Sequence, residues 1–120
     1  MFVKLLKSKL HRATVTTTEL HYPGSIAIDP ELMETAGILP YEAVTIADVD
    51  NGNRLENYVI PAETGSRDVI IMGASAQLIN PKDIVIIFSF GLFVPGEGEK
   101  HKSKVSVLGE KNKIKDAEQE

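Results

Sequence analysis

The sequence predicts an all-β domain with short helices, whose strands are expected to close into a barrel. Aliphatic and β-branched residues alternate with polar ones along most of the chain, as half-buried strands do. The pair Asn51-Gly52 between two such runs indicates a hairpin. A chain of 120 residues is long enough to form one domain with a single hydrophobic core. Closure into a barrel removes the exposed edges that many short strands would leave.

Seven runs have the composition and alternation typical of strands. In chain order they are residues 12–18, 25–29, 43–50, 54–60, 68–72, 83–94 and 104–108. Asn51-Gly52 joins the third run to the fourth, and these residue types favour a tight type I′ turn with positive φ at both positions. The run 83–94 is almost entirely apolar, so we expect a central strand that is buried on both faces.

Two short helical segments interrupt the strands. Asp29 has the side chain of a helix N-cap, and Pro30 suits the first helical position. Glu31 complements the dipole of the first turn, and Gly37 suits the C-terminal cap. A second helical turn is expected at residues 74–79.

The strand pattern weakens after residue 94, where glycine and charged residues take over. Residues 1–94 are therefore predicted to form the barrel domain. Residues 95–120 are predicted to form a polar C-terminal extension that is partly disordered, with a frayed tail from residue 111 onward.

Composition argues against several classes of function. A net charge of −4 is unlike that of a nucleic-acid-binding protein. The chain has no cysteine, and His11, His21 and His101 match no metal-ligand spacing, so no metal is expected. No apolar run reaches the length of a membrane span, and the N-terminus lacks a signal-peptide pattern. We therefore expect a cytoplasmic protein without a membrane partner.

The pair Gly24-Ser25 suggests specific chemistry. A serine hydroxyl can attack the preceding carbonyl to form an ester, and β-elimination followed by hydrolysis then releases ammonia and leaves a pyruvoyl group. Glycine permits the strained, positive-φ turn that this attack needs, and a donor must hold the oxyanion. A second pair, Gly65-Ser66, means that the dipeptide alone is not diagnostic. The alternative interpretation is a plain turn before a strand.

Three further residues suit the chemistry of a pyruvoyl group, which forms a Schiff base with an amine and accepts electrons. Arg54 and Lys9 are suited to bind a substrate carboxylate. Tyr58 lies four residues after Arg54, so strand alternation places both on one face. Each also has a structural interpretation: solvated surface charges for Arg54 and Lys9, and a packing residue for Tyr58.

Several separate motifs resemble the pyruvoyl-dependent aspartate 1-decarboxylases. The match runs through residues 1–94 in order and in spacing, without a gap. The motifs are Lys9-Leu10-His11-Arg12, the run from Leu20 to Asp29, Ala36-Gly37-Ile38-Leu39, Asn51-Gly52-Asn53-Arg54, Tyr58-Val59-Ile60, Gly65-Ser66-Arg67, Gly73-Ala74 and Asp83-Ile84-Val85-Ile86-Ile87.

The resemblance implies a double-psi β-barrel that assembles as a homotetramer with active sites between subunits. The precursor would cleave itself between Gly24 and Ser25, giving a β-chain of residues 1–24 and an α-chain of residues 25–120 that begins with the pyruvoyl cofactor. The reaction implied is decarboxylation of L-aspartate to β-alanine and CO2, which supplies pantothenate and coenzyme A synthesis. Whether cleavage is spontaneous or needs a maturation helper protein stays open.

The resemblance also implies roles for individual positions. Ser25 would become the pyruvoyl group, and Tyr58 would donate a proton to the carbanion. Lys9 and Arg54 would hold substrate carboxylates. The rest of the pocket would be lined by Tyr22, Met72, Gly73, Ala74 and Ser75.

At three positions the chain departs from the family's usual pattern. Asn57 stands where the family has a threonine that is thought to hold the carbonyl oxygen during cleavage, Met72 stands in place of an asparagine, and Ser75 in place of an alanine. Asn57 still donates through its amide, whereas Met72 cannot, and loss of one oxyanion donor costs about 10²–10³ in rate. Alternation also turns residue 57 away from the Arg54 and Tyr58 face. Two other functions therefore stay open: an unprocessed or inactive homologue acting as a binding or partner subunit, and a pyruvoyl decarboxylase of a different amino acid.

Overall fold

The computed structural model describes the backbone of residues 1–119 and the side chains of residues 1–115. Strands account for most of the chain. They are β1 (Val3–Thr14), β2 (Thr17–Glu19), β3 (Ile26–Ile28), β4 (Ala43–Asp48), β5 (Arg54–Pro61), β6 (Val69–Met72), β7 (Ile84–Phe93), β8 (Lys104–Leu108) and β9 (Ile114–Gln119). The α-helices are α1 (Pro30–Ala36) and α2 (Pro95–Gly98), and 3₁₀ helices span Gly73–Gln77 and Glu110–Asn112.

The nine strands form one continuous sheet in the order β2-β6-β3-β5-β4-β7-β1-β8-β9. The chain passes directly from β1 into β2 near the other end of this order, and the link is held by hydrogen bonds from Val15 N to Asp83 O (2.9 Å) and from Thr16 N to Val69 O (2.8 Å). The sheet therefore wraps around a core of buried aliphatic side chains that includes Leu10, Ile46 and Ile87. The predicted all-β double-psi barrel is confirmed.

The first strand is longer than predicted, because β1 begins at Val3 rather than at residue 12. The lysines among its first residues hide the strand pattern in the sequence, but antiparallel pairing with β7 satisfies the backbone along almost the whole strand. β7 is central, as predicted, since it also pairs with β4. The prediction that β7 is buried on both faces is wrong. Val85, Ile87 and Ser89 are buried, whereas the alternate residues of β7 stay partly exposed in the single chain.

The β4–β5 hairpin is confirmed, but its predicted type I′ turn is wrong. Gly52 has a positive φ of 79°, whereas the φ of Asn51 is not positive. The connection is longer, because Asp48 N bonds to Asn53 O at 2.8 Å and Gly52 N bonds to Asp48 O at 2.9 Å. The Asp48 carboxylate holds the turn by accepting from Asp50 N at 2.8 Å.

Helix α1 forms as the sequence predicts. Asp29 caps it by accepting from Glu31 N at 2.9 Å, and Gly37 ends it in the left-handed conformation. The second expected turn is the 3₁₀ helix Gly73–Gln77, which begins one residue earlier than predicted. None of the helices within residues 1–119 has the length and apolar character needed to cross a lipid bilayer.

The segment after residue 94 is more ordered than predicted. Strand β8 forms as expected and pairs in parallel with β1. The tail predicted to be frayed instead folds back as β9, which pairs antiparallel with β8 from Ile114 to Gln119. The backbone of this stretch gains pairing from β8, which the composition of the stretch does not indicate. Glu120 lies outside the described residues.

Candidate active site

The Gly24–Ser25 bond lies in a strained stretch of backbone immediately before β3. Gly24 has φ +139° and Ser25 has φ +106°. Positive φ is costly for a residue with a side chain, by about 1–3 kcal/mol, and +106° is well away from the left-handed helical minimum near +57°. Ser25 is also fully buried, with 0% of its surface exposed. The chain thus holds a hydroxyl inside the fold at a backbone geometry that serine rarely adopts.

Strand β6 holds Ser25 through one strong and one weak contact. Met72 N donates to the Ser25 carbonyl oxygen at 3.0 Å, which continues the antiparallel ladder between β3 and β6. The Ser25 hydroxyl donates to the Met72 sulfur at 3.7 Å. A thioether is a weak acceptor, so the hydroxyl is positioned without being strongly engaged.

Gly73 packs directly against the backbone that precedes Ser25. It has φ +77°, and a Cβ at this position would lie 2.7 Å from the Tyr22 carbonyl oxygen and 2.8 Å from the Gly24 Cα. These neighbours are backbone atoms and have little freedom to move, so only glycine fits. The Tyr22 side chain is 47% exposed beside this contact. Ala74, the next residue, is exposed.

Asn57 and Ser75, two of the residues that depart from the family pattern, contact each other. Asn57 Nδ2 donates to Ser75 Oγ at 2.9 Å, and Asn57 Oδ1 accepts from Tyr58 N at 2.9 Å. The amide is therefore held in place at both ends. One Nδ2 hydrogen and the Ser75 hydroxyl hydrogen are left to donate elsewhere.

The second group of site candidates lies on the outer face of the sheet. Register places Lys9 on β1 directly opposite Phe88 on β7. The Arg54 guanidinium carbon is 5.1 Å from the Phe88 ring centroid, a distance at which a cation is attracted to the ring face. Both cations therefore adjoin one aromatic ring. Tyr58 projects from the same face as Arg54 and is 40% exposed.

Within one chain, the site candidates on the outer face of the sheet lie only partly next to the Gly24–Ser25 bond. β3 runs parallel to β5 with Ile26 opposite Val59, and Ser25 and Tyr58 are the residues that precede this pair in the chain. Arg54 lies four residues before Tyr58, about 13 Å along the strand at the usual rise of roughly 3.3 Å per residue. Asn57 and Tyr58 thus lie on β5 just before the residues that pair with β3, whereas Arg54 lies at the start of β5 and Lys9 lies on β1.

Two features of this region were missed at the level of sequence. Phe88 was assigned only to a buried strand, although the alternation of β7 places it on the face that carries Lys9 and Arg54. Met72 was predicted to line the pocket and to be unable to donate, and its contact as the acceptor for the Ser25 hydroxyl was not predicted. The first could have been found from strand pairing. Nothing in the sequence signals the second.

The arrangement is suited to attack on a peptide bond from within the chain. It combines a buried hydroxyl, a strained bond on its N-terminal side and a close-packed glycine that fixes the turn, and the adjacent strand β5 carries an amide donor that Ser75 holds in place. Positively charged side chains on the adjoining face can bind an anionic molecule.

The chain is similar to known proteins over nearly its whole length. The family model described as Aspartate decarboxylase matches residues 1–115. An aspartate 1-decarboxylase of Acetivibrio thermocellus is 50% identical over 114 residues, which cover 95% of this chain and 90% of that relative. An aspartate 1-decarboxylase of Thermosipho africanus is 47% identical over 116 residues, which cover 97% and 95%. One of Clostridium kluyveri is 48% identical over 114 residues, which cover 95% and 90%.

Proposed function

The chain belongs to the aspartate decarboxylase family, and from that premise we propose that a pyruvoyl group derived from Ser25 carries its activity. The protein is an enzyme, a carboxy-lyase that converts aspartate to β-alanine and CO2 in the pathway to pantothenate and coenzyme A. The observation that supports the pyruvoyl group best is the conformation of Ser25, which is fully buried at φ +106° after a glycine at φ +139°.

The proposed cleavage follows from these neighbours. The Ser25 hydroxyl attacks the Gly24 carbonyl carbon, so an ester bond forms as the peptide C–N bond breaks. β-Elimination then breaks the ester C–O bond, which leaves a carboxylate on Gly24 and a dehydroalanine at residue 25. Water replaces the nitrogen of that residue and ammonia leaves. Relief of the backbone strain favours the first step, because the torsions at residues 24 and 25 become free once the bond is broken.

Asn57 is proposed to hold the oxygen that becomes negative during attack. Its amide lies on the strand next to the cleavage turn, and Ser75 and Tyr58 N fix its orientation. A donor that is already oriented stabilises the oxyanion without reorganisation at the moment of reaction. The Ser75 hydroxyl thus accompanies the asparagine as its positioning partner, since both replace the residues usual in the family. Met72 contributes by orienting the Ser25 hydroxyl through its sulfur.

Lys9, Arg54 and Tyr58 are proposed to act on the substrate. Aspartate has two carboxylates, and the two cations that adjoin Phe88 suit them. The pyruvoyl group, once formed, supplies a keto carbon that takes the substrate amine and accepts the electron pair released with CO2. Tyr58 precedes Val59, the residue that pairs with Ile26, and this position on β5 supports a role in returning a proton to the substrate carbon. Tyr22, Gly73 and Ala74 would line this pocket.

A homotetramer with shared sites is part of the proposal. The residues of β7 that face outward, such as Ile86 and Phe88, are aliphatic or aromatic and only partly covered in the single chain. Arg54 and Lys9 lie on this face, away from the cleavage bond. Packing of a second copy against the face would bury the apolar residues and bring its cations toward a neighbouring Ser25. We also propose a cytoplasmic location, with a maturation helper protein as a further partner.

The experiment is a time course of intact mass followed by an assay for CO2. The 13.1 kDa chain is expected to yield residues 1–24 and residues 25–120, with the larger fragment blocked at its N-terminus and lighter by one ammonia than a serine-ended fragment. Aspartate is expected to release CO2 only in proportion to the cleaved fraction. Glutamate serves as the matched substrate, longer by one methylene, and is expected to give much less.

The two halves of the proposal fail in different ways. A chain that stays intact on long incubation yet releases CO2 from aspartate would overturn the pyruvoyl group while leaving the reaction in place. A cleaved chain that prefers glutamate would keep the cofactor and overturn the substrate assignment. Cleavage that starts only on addition of a cell extract would support the helper protein.

A further inference from the structure

Three carboxylates converge where the β4–β5 turn meets the residue that precedes β7. One oxygen from each of Asp48, Asp50 and Asp83 lies within 4.8 Å of the other two. Asp48 ends β4, Asp50 lies in the turn, and Asp83 immediately precedes β7. Among residues 1–115, no basic side chain forms an ion pair with any of them. Three negative charges thus lie together without a protein cation to offset them.

Each of the three carboxylates accepts a hydrogen bond from a backbone N–H through one of its oxygens. Asp48 Oδ1 accepts from Asp50 N at 2.8 Å, Asp50 Oδ2 accepts from Ile84 N at 2.7 Å, and Asp83 Oδ2 accepts from Asn80 N at 3.0 Å. These bonds fix the three side chains in their rotamers. The cluster is therefore preorganised, and its geometry does not depend on flexible surface acids.

The second oxygen of Asp48 has no partner. Asp48 is 2% exposed, and its Oδ2 is buried without a hydrogen bond from any described residue. A buried carboxylate oxygen without a partner costs several kcal/mol unless a cation or proton satisfies it. A cation placed among the three carboxylates would supply the partner that this oxygen lacks.

We propose that Asp48, Asp50 and Asp83 form a binding site for a calcium ion. Ca²⁺ accepts carboxylate oxygens at roughly 2.3–2.6 Å in a flexible geometry, so oxygens up to about 4.6–5.2 Å apart can share one ion, and the three oxygens here lie within that limit. Mg²⁺ needs a tighter octahedron with oxygens at roughly 2.0–2.1 Å. The exposed side of Asp50 leaves room for the waters that complete the calcium shell.

Bound calcium would connect the turn to the wall of the active site. Asn51 Nδ2 and Asn53 Nδ2 both donate to the Leu78 carbonyl oxygen at 2.9 Å. Leu78 ends the 3₁₀ helix Gly73–Gln77, in which Gly73 packs on the cleavage turn. An ion bound by both the β4–β5 turn and the residue before β7 would fix the turn. The turn in turn holds the end of this helix through the bonds to Leu78 O. The effect of the ion is thus expected on stability and on the rigidity of that wall.

Calcium titration of the purified protein after treatment with EDTA tests the proposal. The wild type is expected to bind Ca²⁺ with a submillimolar dissociation constant by calorimetry, roughly in the range of sites with few charged ligands, and Mg²⁺ at least tenfold more weakly. The melting temperature is expected to rise by about 4 °C at tenfold excess over the dissociation constant. The matched control Glu34→Gln removes an exposed acid on α1 and should change neither result.

Two variants separate a binding site from a merely structural cluster. Asp48→Asn supplies an amide that can donate to Asp83, so it should fold at least as stably as the wild type without calcium and lose at least tenfold in affinity. Asp50→Asn keeps the acceptor for Ile84 N and should also weaken binding. The absence of any calcium-dependent heat or melting shift in the wild type would overturn the proposal. Equal shifts in the wild type and in both variants would do the same.

Discussion

The chain contains the dipeptide Gly-Ser twice, and the two serines differ in burial, in backbone conformation and in the hydrogen bonds of the hydroxyl. Ser25 is fully buried at φ +106°, and its hydroxyl bonds only to a sulfur at 3.7 Å. Ser66 is partly exposed, and its hydroxyl donates to the Glu63 carbonyl oxygen at 2.6 Å and accepts from Asp68 N at 3.2 Å. The Ser25 hydroxyl is thus held weakly beside strained backbone. The Ser66 hydroxyl both donates and accepts a hydrogen bond within its turn.

The difference comes from what surrounds each pair. A Cβ at Gly73 would lie 2.8 Å from the Gly24 Cα, whereas a Cβ at Gly65 would have no other atom within 4 Å. Asp29 accepts from Gly65 N at 3.1 Å and from Arg67 N at 2.7 Å, so the second turn is held from outside by a carboxylate. Reactivity of a dipeptide is thus set by strain and by which hydrogen bonds its hydroxyl already makes, and substitutions in matched pairs can test each contribution.

Replacing each serine in turn should give the largest contrast. Ser25→Ala is expected to abolish cleavage because the attacking oxygen is gone, while the buried site accepts the smaller side chain. Ser66→Ala is expected to cleave at the wild-type rate and to lose only about 1 kcal/mol of stability from its turn bonds. Intact mass measured over days checks the first effect, and chemical denaturation the second. Cleavage of the Ser25→Ala chain at the same bond would exclude Ser25 as the nucleophile.

Changes at Asn57 should give the next largest effect. Asn57→Ala removes the proposed oxyanion donor, so cleavage is expected to slow by about 10²–10³. Ser75→Ala keeps the amide but loses its partner, so we expect a smaller loss. Asn57→Thr restores the residue usual in the family and is expected to cleave at least as fast as the wild type. Rates come from the fraction of intact chain against time. An Asn57→Ala chain that cleaves like the wild type would remove Asn57 from the mechanism.

Much of this comparison could be predicted from local sequence. Alternation identified most of the strands, and the cap residues Asp29 and Gly37 placed helix α1, because these signals act over only a few residues. The strain at Gly24-Ser25 was expected for the same local reason. By contrast, the charged residues after Lys111 hid β9, because pairing along an edge depends on a partner strand rather than on composition.

The contacts between distant segments could not be predicted in this way. Asn57 meets Ser75, and Asp48 meets Asp83, because strand register and loop paths bring together residues that no spacing rule connects. The same holds for the Met72 sulfur beside the Ser25 hydroxyl. The spacing of the histidines indicates no metal site, and carboxylates that converge from separate loops have no sequence signature.

Adding one methyl group to each of the two glycines that support these turns should give an intermediate effect. Gly73→Ala places a Cβ 2.7 Å from the Tyr22 carbonyl oxygen at a positive φ, so we expect a loss of roughly 3 kcal/mol and slower cleavage. Gly65→Ala meets open space and should lose only about 1 kcal/mol for its positive φ. Urea denaturation in the Ser25→Ala background keeps cleavage out of the measurement. Equal losses in the two variants would contradict the close packing at Gly73.

The smallest effect concerns the carboxylate that holds the Gly65-Ser66 turn. Burial pushes the pKa of Asp29 upward, but backbone N–H donors from Glu31, Arg67 and Gly65 outweigh it, so the pKa lies below its ordinary value of 3.8. The folded state therefore favours the charged form. Its contribution to stability is complete above the ordinary pKa and is lost as pH falls through the lowered one.

Asp29→Asn tests this contribution, because the amide still accepts through one oxygen but cannot accept from Arg67 N. At pH 7 and a fixed protein concentration we expect the variant to be less stable by about 1–2 kcal/mol, and the difference should shrink only as pH falls below the ordinary pKa of 3.8. Glu63→Gln, an exposed acid in the same turn, should follow the wild type at every pH. A constant gap between the wild type and Asp29→Asn would mean that shape rather than charge holds the turn, and the contrast between the two Gly-Ser pairs would then rest on strain alone.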